Sequence, residues 1–417
     1  MKIFNIINWR IALITIILSS VVSPYISTLY RGYVGLILLI GFSVLILLSA
    51  PVGIQLFKII QLFNKYNKSI LIAFLWFFLG IAFSFLRGAN DYAYLIQVGL
   101  LPIYYYFGLF LSHNEGYHNY ATLAIIGFVF INIIITGDSI SSTTSAREIY
   151  NESDNSLTAG TTGFWGLIGI LFPIFLAVVL SLKKTLLKTF YIIILFIIVY
   201  KLFFSGFATP VGLLLINLTL MGVLYFIYNF RKSSRFLRAF FVIFFFYGIA
   251  FFLLNTITQS QSSALADVQW RFNNFIENPQ GGGYSGSIAE EESRFLLMQF
   301  SWNTFLKNPF FGGGGNIRTS IYEGISGGHS SAVDFLAVLG LLGGGGAFIY
   351  FVFIVFRNAR KQLKRTKSFN EICHFASVIT FIIGGIMNPY WQGPILASFL
   401  LIVSIYKNPE NLNSTLT

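Results

Sequence analysis

Charge is scarce in this chain. Only 10% of its 417 residues are Asp, Glu, Lys or Arg, against 56% hydrophobic, and a soluble globule of that length needs about a quarter of its residues charged. Cysteine is scarcer still: one residue, Cys373, which excludes an internal disulfide and any cysteine-built metal knuckle. The 15 acidic residues include no Asp-x-Asp pair of the kind that holds a divalent metal on a nucleotide diphosphate. Few ionisable groups fall inside the apolar runs, chiefly Lys201, Asp334, Glu371 and His374. An ion-coupled carrier would place more of them there.

What the chain has is apolar sequence. Runs long enough to cross a hydrocarbon core, which takes about 20 residues, lie near 11–29, 33–51, 69–86, 93–112, 120–136, 162–182, 187–205, 208–229, 239–257, 332–356, 371–388 and 390–406. The 47 phenylalanines and 22 tyrosines suit lipid contact and interfacial belts. The expected fold is an all-α polytopic membrane protein of about 12 transmembrane helices, residues 1–417 forming a single membrane domain. The first run follows Lys2 and Arg10 as a signal peptide would, but it leads straight into further spans and is expected to be an uncleaved helix.

The formal net charge of +12 points to membrane topology rather than to nucleic acid, because the cations sit in short clusters between spans. With the N-terminus inside, cytoplasmic loops receive Lys58, Lys65 and Lys68, then Lys183, Lys184 and Lys188, then Arg231, Lys232, Arg235 and Arg238, then the run from Arg357 to Lys367. Short outer loops hold Arg31, Arg87 and Arg147. Acidic residues including Glu148, Asp154, Asp267, Glu277, Glu290 to Glu292 and Glu323 fall outside. The loop 113–119 would be internal without a lysine or arginine. Both termini are then cytoplasmic.

One long non-membrane segment remains, residues 258–331, between the ninth and tenth spans on the outer face. A loop of that length is usually functional or disordered, and this one contains two helix-like stretches. "SSALADVQWRFNNFIENP" carries Arg271 and stops at Pro279. "SIAEEESRFLLMQFSWNTFLKNP" opens with a capping-box pattern, Ser287 and Glu290, carries Arg294 and stops at Pro309. Its aromatic content predicts that it lies against the membrane domain or in the interface. Next come Gly312 to Gly315, either a cradle for an anionic ligand or a hinge. His329 follows at the entry to the tenth span, with Asp334 five residues on, placed to orient His329 or to serve capping and packing. His113, His118 and His374 lack such a context.

"SRFLLMQFSWNTFLKNPFFGGGGN" followed by "HSSAVDFLAVLGLLGG" resembles the O-antigen polymerase and O-antigen ligase family. Members show an arginine, an aromatic-rich helix, Asn-Pro-Leu-x-Gly-x-Gly, then His-Asn or His-Ser and a Leu-rich stretch ending in Gly, a spacing matched here by His329 and Gly340. The motif covers roughly residues 290 to 345; the expected span count and the outer loop before the tenth span extend the agreement. One departure is that the family often carries an arginine at the outer end of the eighth span, where this chain has Phe207 and Ala208, with Lys201 nearby.

The resemblance implies a glycosyltransferase with a GT-C-like architecture, no nucleotide sugar, no metal and no cofactor. Its donor would be a glycan on undecaprenyl diphosphate, at the outer face of the cytoplasmic membrane. Arg294, Arg271 and Arg318 are the expected diphosphate ligands, since a guanidinium stays charged and matches phosphate oxygens bidentately. His329 is the expected catalytic base or acceptor-orienting group, and Asp334, Gly313, Gly315 and Asn316 are the expected supporting groups. Polymerase and ligase differ only in acceptor: a lipid-linked repeat unit in one, a lipid A core or other anchor in the other. A chain-length regulator and a flippase are the implied partners. A lipid-linked oligosaccharide flippase or ion-coupled transporter is the competing class.

Overall fold

The computed structural model describes residues 68–86, 115–137, 162–205, 207–229, 294–313, 330–388, 390, 391 and 399. Among them there is no strand. The helices are α1 (Lys68–Leu86), α2 (Glu115–Gly137), α3 (Thr162–Ser181), α4 (Thr185–Phe203), α5 (Ala208–Asn229), α6 (Arg294–Lys307), α7 (Ser331–Leu339), α8 (Gly345–Thr366) and α9 (Phe369–Met387). Among the described residues, four stretches are long and apolar enough to cross a membrane: 163–181, 185–203, 208–228 and 369–387. The expected runs at 11–29, 33–51, 93–112 and 239–257, and most of 390–406, lie outside the described residues.

Helix α3 is apolar all round and is accordingly the central element. Phe164, Trp165, Ile168, Leu171, Phe172 and Phe175 on its different faces are all buried, and it packs against α2, α4, α5 and α9. Its Pro173 has no N–H to give the carbonyl of Gly169 one turn earlier. Asn217 of α5 supplies the missing donor: its Nδ2 reaches the Gly169 oxygen at 2.9 Å and the Ile170 oxygen at 2.7 Å. In an apolar interior a freed carbonyl requires such a partner. Outside this core, α4 turns Phe190, Ile193 and Phe196 outward, as a lipid-facing helix does.

The expected single span 332–356 is two helices. The physical reason is its run of glycines: α7 ends at Gly340 with φ +65°, and α8 begins after Gly344. Glycine has low helix propensity and alone enters positive φ freely. The break is packed tightly. Phe335 of α7 stacks on Phe348 of α8 at 4.6 Å, and α1 adds Phe77 against Phe348 and Phe74 against Phe351. A Cβ on Gly80 would overlap the Gly343 carbonyl, so α1 touches the break backbone to backbone.

The starts of α3, α5 and α7 share one end of the bundle with the end of α9. Tyr390, just after α9, is wedged between Gly166 of α3 and Gly384 of α9. The opposite end holds the finish of α5 and α8 and the start of α9, where Tyr225 meets Phe369 and Lys367 lies over Tyr228.

Candidate functional site

Helix α6 begins at Arg294, within the stretch expected to be helical, and ends at Lys307 before Pro309. Leu297, Ser301 and Phe305 recur every four residues and are buried, whereas Trp302 and Leu306 are exposed. One stripe of α6 therefore lies on α7, as the apolar composition of this stretch predicts.

The contact between α6 and α7 has a polar centre. Ser301 Oγ donates to Asp334 Oδ1 at 2.7 Å, and the other carboxylate oxygen accepts the Ser330 N–H at 3.1 Å. Ser330 in turn caps α7, its hydroxyl accepting from the Val333 N–H at 3.5 Å. Asp334 is 2% exposed, a depth at which an acid needs hydrogen bonds to be tolerated. It closes the first turn of the helix that follows His329 and ties that turn to the helix that starts at Arg294. Of the two roles expected for Asp334, capping and packing are the ones visible in these contacts.

A second set of bonds joins the chain after α6 to the break after α7. Pro309 O accepts from the Leu341 N–H at 2.9 Å, Phe310 O accepts from Leu342 and Gly343, and the Gly313 N–H donates to Ala337 O at 2.8 Å. Gly312, at φ +68°, lies so close to Val338 that a Cβ would overlap its carbonyl. The Gly312 N–H donates to Asn308 O. With the Gly312 and Gly313 amides committed inside the protein, an anion cradle would fall to Gly314 and Gly315, which lie outside the described residues. From α1, Trp76 Nε1 donates to Leu342 O at 2.6 Å, and Phe83 packs on Phe311.

The first residue of α7 is anchored from α9. Ser331 N–H reaches Asn388 O at 3.4 Å, the Trp391 N–H donates to Ser331 Oγ at 2.9 Å, and Trp391 Nε1 donates to Phe381 O. The Trp391 indole sits where a Cβ on Gly385 would be. Sequence reasoning missed Ser301, Ser331, Asn388 and Trp391. Ser301 and Ser331 lay inside the two quoted segments with nothing to single them out, and Asn388 and Trp391 left only "NPYW" at the join of two expected spans.

Of the expected site residues, Asp334 bonds to Ser301 and Gly313 to Ala337, both joining the α6 segment to α7, and Arg294 is the first described residue of α6. His329, Arg271, Arg318, Gly315 and Asn316 lie outside the described residues. Phe207 is buried just before α5, and Lys201 is half-buried in the last turn of α4 at the same end of the bundle. His374 and Cys373 are buried near the start of α9, at the opposite end, with Cys373 Sγ 3.6 Å from Met221 Sδ.

Among known proteins, no family model, no curated protein and no solved structure matches this chain.

Proposed function

We propose that the protein is a membrane glycosyltransferase that polymerises undecaprenyl-diphosphate-linked oligosaccharide repeat units, as in O-antigen or capsule synthesis. The reaction runs at the outer face of the cytoplasmic membrane, with both termini in the cytoplasm. One observation carries most weight: the two halves of the motif, "SWNTFLKNPFFGG" and "VDFLAVLGLLGG", are hydrogen-bonded into one unit through Ser301–Asp334 and Gly313–Ala337. A motif whose halves fold together serves one task, and here the unit connects the arginine that opens α6 with the turn that follows His329.

In this mechanism a hydroxyl of the acceptor sugar attacks the anomeric carbon of the donor glycan. His329 takes the hydroxyl proton while the bond between that carbon and the diphosphate oxygen breaks. Arg294, with Arg271 and Arg318, compensates the charge on the departing undecaprenyl diphosphate. Asp334 and Ser301 hold the two helices in register.

Glycan length tests the proposal, in a deletion strain complemented with wild type, His329→Ala or Arg294→Ala, each checked for membrane insertion and amount. Long chains with wild type and single repeats with both variants are expected. Restored attachment of chains already long identifies a ligase instead. Full activity in both variants refutes the assigned site.

A further inference from the structure

A charged surface at the opposite end of the bundle does separate work. From Gly345 to Phe356 helix α8 is apolar; from Arg357 to Lys367 it carries Arg357, Arg360, Lys361, Lys364, Arg365 and Lys367, all exposed. In its basic half the buried residues Val355, Ala359 and Leu363 form one stripe against the protein, while in the turns before it burial is broader and includes Ala347, Phe351 and Ile354. At about 100° per residue, the first five of those cations fall on the side opposite that stripe. They make a continuous outward face about 12 Å long. No acidic residue occurs between Asp334 and Glu371 to neutralise it.

What this face meets follows from the turns just before it. Tyr350 and Phe353 point outward on the same side and are 41% and 54% exposed, so that side of α8 faces hydrocarbon before it faces cations. The change occurs within one turn, at Phe356 and Arg357. Tyr225, Tyr228 and Phe369 cluster at the same end, the amphipathic rings expected at headgroup depth. A cation row beginning where the lipid-facing side ends lies among headgroups rather than in open solvent, and its charge selects anionic ones.

We infer that the outward face of α8 from Arg357 to Arg365 is a binding surface for anionic phospholipid headgroups. It gathers phosphatidylglycerol-type lipid around the end of the bundle away from the proposed site, and holds the broken α7–α8 helix at a fixed depth in the membrane. Neither effect depends on the enzymatic activity proposed above.

The test uses full-length protein reconstituted in bilayers with spin-labelled phosphatidylglycerol or phosphatidylcholine, comparing the fraction of each label immobilised at the protein surface. Wild type is expected to prefer phosphatidylglycerol roughly threefold or more, and to lose most of that preference between about 0.05 and 0.5 M salt. The variant with Arg357, Arg360, Lys361, Lys364 and Arg365 all changed to Gln is expected to fall to near parity. Replacing its three arginines by lysine should retain the preference. No preference in wild type, which needs no variant to fold or insert correctly, overturns the inference, as does an unchanged preference in the glutamine variant. Displacement of the labelled lipid by micromolar inositol hexakisphosphate also overturns it, since the face would then serve a soluble polyanion.

Discussion

The Ser301–Asp334 hydrogen bond should behave as a coupled pair whose strength is measurable without knowing the reaction. Ser301→Ala removes the donor from a contact of 2.7 Å to a buried carboxyl group, and a bond of that kind contributes about 1.5–3 kcal/mol. Asp334→Ala removes the acceptor of both the Ser301 hydroxyl and the Ser330 N–H, so its cost should be larger, roughly 3–5 kcal/mol. Asp334→Asn should be mildest, within about 1 kcal/mol. Its remaining oxygen can keep the Ser330 N–H while its amide donates to Ser301. The serine proton then turns to Leu297 O, already 3.2 Å away. Unfolding of purified protein in mild detergent, followed by denaturant titration, gives the four corners of a double-mutant cycle. In the Asp334→Ala background, Ser301→Ala should cost almost nothing, leaving a coupling energy of about 1.5–3 kcal/mol. Additive costs, with coupling near zero, would show that the two side chains do not share a proton and would remove the polar link between α6 and α7.

Other substitutions probe the rest of the framework. Gly80→Ala should destabilise by about 3 kcal/mol because its methyl overlaps the Gly343 carbonyl, whereas Gly127→Ala, with open space around it, should stabilise by up to roughly 1 kcal/mol; equal effects on the denaturation midpoint would contradict the close approach of α1 to the break. Gly340→Ala should destabilise by about 2 kcal/mol or more, read as a lower denaturation midpoint, since it combines φ +65° with overlap of the Gly312 amide. Asn217→Leu should cost about 1–3 kcal/mol in the native background but less once Pro173→Ala restores an N–H for Gly169; an identical cost in both backgrounds would separate Asn217 from the proline.

The sequence conveyed the helices wherever charge or turn chemistry bounds an apolar run. The expected stretch 208–229 coincides with α5, and 69–86 differs from α1 by one residue, because lipid-length runs bounded by turn or charged residues permit few registers. The break in 332–356 was hidden for the opposite reason. Hydropathy counts glycine as neither polar nor charged, so a run through "LGLLGGGGAF" stays apolar while its backbone leaves the helix at Gly340. Part of the site was legible on the same grounds: Asp334 stood out as an acid inside an apolar run. Its partner did not, because Ser301 lies 33 residues earlier in a separate segment, and no local pattern encodes a serine's distant neighbour.

The glycines of "NPFFGGGGN" have, at least in their first half, a role that neither a phosphate cradle nor a hinge describes. Gly312 and Gly340 allow two backbone segments to approach more closely than any side chain permits, and each sits against the other segment's polar atoms. Gly80 does the same from α1. Three pieces of chain far apart in sequence thus meet closely; carbonyls and amides of 309–313 and 337–343 satisfy one another, and α1 adds the Trp76 indole N–H to Leu342 O. Such a junction is rigid, because each glycine amide and carbonyl that moves must leave a partner. A rigid junction beside α7 keeps the first turn of α7 at a fixed distance from α6, which is what the alignment of donor and acceptor in the proposed reaction would require. The first half of the glycine-rich sequence, Gly312 and Gly313, therefore contributes close backbone packing between the chain after α6 and α7.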